Sequence, residues 1–406
     1  MLVVGVPYGT RARLLVEAEV ARRGWPVASS PAEASLVVVC GQPGPELAEA
    51  VREVWESVTA PRDLLELPPD VSQDGVADAL DGAVRELGDE QAQWRDAQRR
   101  AGQGTEPPPH GGREHRMEMP GGVAMAQRGA DRDGLKLDRL HVPLGPVLVD
   151  WPAGLVVDTV LQGDVIQRAV VRVVGADGTR FREPYGGMGP EEARRRAAAA
   201  RLDSLGRMLG VAGWPGAARE ARRLRDRLLA GADGNEVARH CARFARRVRR
   251  SRVLRWMLRG LGTIGADGPE RLRGDALDRV YRWIDEVGDL VPTGGAEDRR
   301  SGGVDAAGRA KGLRPRETDG TCGGEGRRFG GGGGTCEDEG RRFGGADGAG
   351  GVDASGGEVV LGVLPGLLAG AELAVARLIV ASLDPDLDQA AAPAEAPDEW
   401  GRGFGG

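Results

Sequence analysis

The thiols, histidines and carboxylates of this 406-residue chain are the side chains whose spacing could reveal chemistry, and that spacing excludes more than it offers. Cys40, Cys241, Cys322 and Cys336 are its four cysteines. Iron–sulfur clusters and structural zinc need several thiolates set close together, commonly as Cys-x-x-Cys, and no such pair occurs. Cys40 closes an apolar run and Cys241 falls on a helical apolar stripe, so both read as small core residues. His240 adjoins Cys241, but neighbours on a helix do not face each other, which rules out a nucleophile pair. Cys322 and Cys336 sit in two copies of a repeat that begin at Thr321 and Thr335; a redox pair or a metal site would need help from elsewhere. His141 lies ahead of a β-hairpin and Asp158 interrupts its first strand; these two are the candidates for acid–base or ligand contact. The bland alternative for His141 is a hydrogen bond at a strand start.

Other groupings dissolve on inspection. Met117, Met119 and Met125 with His110 and His115 lack a ligand spacing and read as a flexible lead-in. Asp131, Asp133 and Asp138 lack the glycine and terminal glutamate of a calcium loop. The turns at 5–10 and 41–45 lie where a phosphate could sit, but the lysine and the G-x-G-x-x-G spacing are missing, so both read as plain tight turns. The basic run from Arg243 to Arg259 could meet phosphates. Lys136 and Lys311 are the only lysines, so arginine enrichment is chain-wide and weakens that inference. A solvated or partner-facing surface is the expectation.

The elements that must position these residues follow from apolar periodicity. Runs 2–6 and 35–40 are continuous apolar strands, 25–28 a short strand, and 10–23 a helix. Residues 46–58 place Leu47, Val51, Val54 and Val58 on one helical face. Strands separated by amphipathic helices predict a buried parallel sheet. Helices are expected at 76–87 and 90–101, and a linker over 101–136. Residues 155–161 and 165–174, rich in β-branched side chains, flank Gly163-Asp164, a two-residue hairpin turn. A turn at Asp177-Gly178 leads to a third strand at 179–182, giving a meander within 137–185. From 190 to 292 the stripes Leu202/Leu205/Leu209/Ala212, Ala217/Ala221/Leu224/Leu228 and Val237/Cys241/Phe244/Val248, with a fourth of Leu254, Met257 or Leu258, and Leu261, describe a bundle of three or four helices. Residues 293–357 read as a glycine-rich disordered insertion, 358–390 as a helix packing on the bundle, and 391–406 as a disordered tail. The expected fold is an α/β N-terminal domain over 1–100, followed by an α+β part made of the antiparallel meander and the bundle.

A net charge of −6 gives no reason to expect nucleic acid as a partner of the whole chain. The apolar stretch 359–383 carries Glu372, Arg377 and Pro365, so it reads as a buried helix and not a bilayer span. The protein is expected in the cytoplasm, meeting a membrane only through partners.

Several motifs carry a resemblance. The order of a Gly-aromatic strand at Gly24-Trp25, a Ser-Pro turn at Ser30-Pro31, an apolar strand ending at Gly41, a helix and a proline exit at Pro61 is similar to the 20 kDa (B) subunit of NADH-quinone oxidoreductase. Leu144-Gly145-Pro146 and Trp151-Pro152, followed by the Gly163-Asp164 hairpin, resemble the start of the 49 kDa (D) subunit, a relative of the [NiFe]-hydrogenase large subunit. Residues 200–231 resemble that subunit's first helical pair, and Ser382-Leu383-Asp384 its C-terminal segment. The resemblance implies a fused, shortened B/D-type protein whose N-terminal part is a flavodoxin-like half. It also marks departures. The family binds a [4Fe–4S] cluster through four cysteines, two of them adjacent where Gly5, Val6, Pro7, Tyr8 and Gly9 stand here. It offers the quinone a histidine from the hairpin loop, where this chain has Trp151, and a tyrosine that neither Tyr185 nor Tyr281 matches. No cofactor is therefore expected. The role implied is a non-catalytic accessory, assembly or regulatory one beside complex-I-type subunits, at the inner face of the cell membrane through those partners. Gly145, Pro146, Trp151, Pro152, Gly163, Asp164, Ser382 and Asp384 are expected as structural or partner positions. One alternative is an active quinone oxidoreductase subunit that uses a partner's cluster with His141 or Asp158. Another is a binding module that meets an anionic partner through its arginine helices.

Overall fold

The continuous apolar runs near the N-terminus become the strands Leu2–Gly5 (β1), Leu36–Cys40 (β2) and Asp63–Leu67 (β3), paired in parallel in the order β1-β2-β3. The structure is a computed structural model that describes residues 1–103, 128–130, 136–175, 189–291, 356–385 and 387. β2 is buried along its whole length because both faces of the sheet are covered. Thr10–Arg23 (α1) and Gln73–Gly88 (α3) bring Ala12, Val16, Val76 and Leu80 to the Leu36, Val38 and Cys40 side. Pro45–Glu56 (α2) brings Leu47 and Val51 to the Val37 and Val39 side. Glu90–Gln103 (α4) is tied to the unit through Asp96, which meets Arg62 at 2.9 Å. Residues 25–28 do not form the expected strand. Pro26 has no amide to give a ladder, and the segment holds to β1 through Ala28 N–H to the Met1 carbonyl at 2.7 Å.

The second sheet is antiparallel, in the order Arg128–Ala130 (β4), Lys136–Leu144 (β5), Leu155–Gln162 (β6) and Val165–Val173 (β7). β6 and β7 form the expected hairpin, with Gly163 at φ 62 in its turn. The other neighbour of β6 is β5, which precedes it in the chain, so the meander extends upstream. The expected strand at 179–182 lies outside the described residues. Leu140, Val142 and Leu144 alternate in β5, but the run is short, contains Pro143 and leaves most of the strand exposed, so apolar patterning marks it only weakly. β4 falls within the stretch expected as linker.

One face of the hairpin, with Leu155, Val157, Leu161 and Ile166, packs against Gly356–Leu368 (α10) and Leu373–Leu383 (α11). Val156 and Val174 turn the other way, into the core of the parallel sheet. The single helix expected near the C-terminus is therefore two. The chain breaks at Gly370 (φ 80), where Gly370 N–H bonds Ile166 O (2.8 Å), Ile166 N–H bonds Ala371 O (2.9 Å) and Leu373 N–H bonds Asp164 O (2.8 Å). The hairpin turn thus satisfies the backbone groups that the break frees. Among the described residues no helix is long and apolar enough to cross a membrane.

Pro190–Val211 (α5), Pro215–Leu229 (α6), Gly234–Arg250 (α7), Arg252–Leu258 (α8) and Ala276–Leu290 (α9) make the bundle. The expected stripes meet in one core, which includes Leu202, Leu209, Leu224, Cys241, Phe244 and Leu254. The repeat region around Cys322 and Cys336 and the tail over 391–406 lie outside the described residues.

The loop ahead of β6 depends on two glycines with positive φ. A Cβ on Gly145 would lie 2.2 Å from the Leu155 carbonyl oxygen, and one on Gly154 would lie 2.5 Å from that of Val174 and 2.6 Å from Pro7 Cγ. Nothing crowds Gly163. Gly145→Ala and Gly154→Ala are each expected to lower the unfolding free energy by about 2–4 kcal/mol. Gly163→Ala is expected to cost about 1 kcal/mol. Urea denaturation measures all three, and equal losses would contradict the packing described.

Candidate functional site

At the β1–α1 turn, where the resemblance expects cluster ligands, backbone fills the space. A Cβ on Gly9 would stand 1.9 Å from the Cys40 carbonyl oxygen. Val6 N–H bonds Cys40 O and Gly9 N–H bonds Val6 O, while in the second candidate turn Gly41 N–H bonds Leu67 O and Gly44 N–H bonds Gly175 O. These amides serve the protein's own backbone, as plain tight turns require. The one described thiol of this unit, Cys40, points into the α1–α3 core, and burial pushes its pKa up to about 12. A single thiol, packed among Ala12, Val16 and Leu80, supplies one of the four thiolates a [4Fe–4S] cluster takes, so the donor set at this turn does not fit one.

The hairpin residues named from sequence divide into structural parts. The Trp151 indole N–H donates to the Leu155 carbonyl at 2.8 Å, and Trp151 and Pro152 are buried. The Gly145-Pro146 bond is cis. Asp164 lends its carbonyl to α11. Asp158 opposes Pro143 and His141 opposes Val160, so the two candidates share one face of the sheet. His141 is exposed. Asp158 accepts from Arg172 Nε at 2.7 Å, and Arg172 also meets Glu46 of α2. Asp158 thus holds Arg172 across the hairpin, and Arg172 carries the link to the α/β unit through Glu46. His240 turns its Nδ1 to the Glu236 carbonyl (2.8 Å), away from Cys241, whose thiol burial pushes up to about 11. Tyr281 on α9 lies beneath the Arg249 guanidinium.

Ser382 and Asp384 do more than end a helix. The Ser382 hydroxyl donates to Ile379 O (2.8 Å) and accepts from Arg279 Nη2 (2.9 Å). Arg279 is buried and meets the carbonyls of Leu272, Gly274 and Gly262 as well. Asp384, left-handed at φ 44, takes Arg207 Nη2 at 2.6 Å and the Ser204 hydroxyl.

Asp384 leads into a buried ion network that sequence reasoning missed. Arg13 of α1 reaches Asp203 of α5 (2.6 Å) and Glu17 (2.7 Å). Arg225 of α6, with no exposed side-chain surface, meets the same two carboxylates at 2.5 and 2.7 Å. Arg222 holds Asp150 from the loop ahead of β6, and Asp150 lies so close over Gly210 that a Cβ there would stand 2.1 Å from it. Burial opposes ionisation of Glu17, but Arg13 and Arg225 outweigh it and hold the carboxyl at about 2. Asp203 is likewise held well below the usual carboxylate range by Arg13, Arg207 and Arg225 against its burial. Paired in this way, Glu17 and Asp203 clasp α1, α5 and α6 together. The available signal was a charge inside an apolar stripe: Asp203 beside Leu202, and Arg225 beside Leu224.

The last candidate surface is basic. Trp214, Arg243, Arg246, Arg247, Arg250 and Ser251 line an open depression of about 510 Å³ at the end of the bundle. Arg247 lies over the Trp214 ring (5.2 Å) and pairs with Glu220 (2.7 Å), and Arg249 pairs with Asp285. Among the described residues no group of three or more His, Cys, Asp or Glu side chains is placed to hold a metal ion. No family model, curated protein or solved structure matches the chain.

Removing one member of the clasp strands a buried charge. Asp203→Asn is expected to cost about 3–5 kcal/mol in denaturant at pH 7. Because the folded-state pKa of Glu17 lies below its unfolded value, its contribution is present above pH ~4.5 and is lost as pH falls toward ~2. Glu17→Gln should therefore flatten the stability profile across that window, and an unchanged slope would contradict the pairing. In a C322S/C336S variant, Cys40 and Cys241 should resist a thiol reagent at pH 8 in the native protein and react fully once it is denatured. Rapid native reaction would contradict their burial.

Proposed function

We propose that the chain is a fused, complex-I-like protein that acts as a non-catalytic accessory, assembly or regulatory component of a respiratory oxidoreductase. The observation that carries the reading is the contact between its two resembled halves. Pro7, in the turn where the family ligates its cluster, rests on Gly154, in the loop where the family presents its quinone histidine. Backbone packing and the hydrogen-bonded indole of Trp151 take the places of iron and quinone ligands. In this reading neither the turn nor the loop, as described, positions a cofactor. Three parallel strands with helices on both faces support the flavodoxin-like origin assigned to the N-terminal half. The partners in this reading are complex-I-type subunits, met at the inner face of the cell membrane.

The reading in which His141 and Asp158 serve a quinone beside a partner's cluster is less well supported, since Asp158 is already committed to Arg172. Iron and acid-labile sulfide analysis of anaerobically purified protein separates the two, with no stoichiometric iron expected. A brown protein with a paramagnetic signal on reduction would overturn the proposal. Affinity purification from native membranes is expected to recover respiratory subunits, and their absence would count against the accessory role.

A further inference from the structure

The arginine-rich end of the bundle has a feature that the accessory reading does not use. On α8, Leu254 and Leu258 stand one turn apart and are buried in the bundle core. Trp256, midway between them, therefore falls on the opposite side of the helix. It is 82% exposed, and Val253, one turn before it, is 66% exposed. The core side of α8 is already occupied, so neither residue is a displaced core side chain. Around them stand Arg252, Arg255 and Arg259, all exposed, and Arg250 connects α8 to the arginine-lined depression on α7. Arg247 and Arg249 are paired with Glu220 and Asp285, whereas Arg243, Arg246 and Arg250 have no carboxylate in ion-pair range among the described residues.

An indole beside an aliphatic residue, ringed by guanidinium groups, matches the headgroup layer of an anionic bilayer. The ring's apolar body and its N–H suit the boundary between acyl chains and water, while arginines meet lipid phosphates. A nucleic acid would use the arginines and the ring but would find no partner for Val253. The chain as a whole carries −6, so attraction to an anionic surface is local and turns this end toward it.

We propose that α8 and the C-terminal half of α7 dock directly on an anionic phospholipid surface, with Trp256 and Val253 entering the headgroup layer and Arg243, Arg246, Arg250 and Arg252 contacting lipid phosphates. This contact is made by the chain itself and stands whether or not the accessory role does.

Flotation of the full-length protein with vesicles tests it. Binding is expected to an equal mixture of phosphatidylcholine and phosphatidylglycerol, and not to phosphatidylcholine alone. Trp256→Ala with Val253→Ser should lower partitioning at least about tenfold. Arg243→Gln, Arg246→Gln and Arg250→Gln should each lower it roughly fivefold. All of these side chains are at the surface, so circular dichroism and unfolding should match the parent protein. Failure to float with the mixed vesicles would overturn the proposal, as would a Trp256/Val253 variant that floats like the parent. So would binding of a single-stranded oligonucleotide that depends on Trp256 while vesicles are ignored, since this would assign the surface to nucleic acid.

Discussion

The fold depends on a small set of buried and half-buried charges whose partners lie far apart in the chain. Arg13 and Glu17 come from the N-terminal helix, Asp150 from the loop ahead of the hairpin, Asp203 and Arg207 from α5, Arg222 and Arg225 from α6, and Asp384 from the end of α11. Charges taken out of water are tolerated only when each finds its partner. An apolar contact can slide by a residue at little cost, but an arginine that must meet two carboxylates at hydrogen-bond distance cannot. The network therefore fixes how the parallel sheet, the hairpin loop and the bundle sit against one another. It does so by geometry, whatever its net contribution to stability.

The hairpin loop shows the same principle in backbone form. Gly145 and Gly154 lie where a methyl group would strike a carbonyl oxygen, and Gly154 receives Pro7 from the other resembled half. A ligand held at this junction would need space and donor atoms. The structure supplies close packing, with the Trp151 indole bonded to the chain's own carbonyl. This junction keeps its shape through steric fit.

Arginine serves opposite ends here. Arg225 and Arg279 are buried, one among carboxylates and the other among backbone carbonyls and a serine hydroxyl. Arg243, Arg246 and Arg250 face water around an open depression. The planar guanidinium fork allows both, since it can satisfy several fixed acceptors inside the protein or engage phosphates outside it. Composition alone merges the two populations, and only burial separates them.

Periodicity in the sequence determined the bundle helices α5 to α8, though not α9, the buried character of β2 and the Gly163-Asp164 hairpin, because each rests on contacts between near neighbours in the chain. It missed β5, whose alternation is confined to Leu140, Val142 and Leu144 around Pro143, and the break at Gly370, whose backbone groups are satisfied by a hairpin about 200 residues earlier. Of the positions singled out from sequence, Asp158 proved to be a partner of Arg172 across the hairpin and Asp384 a member of the clasp, while Arg13, Glu17, Asp203 and Arg225 passed unnoticed among so many arginines and acids. The exposure of Trp256 beside arginines without carboxylate partners likewise emerges only from the folded chain. Local patterning determines which face of an element is apolar. Which charges are buried together, and which are left to meet a partner, was decided only when distant elements packed, because electrostatic pairing depends on distance in space and not on separation along the chain.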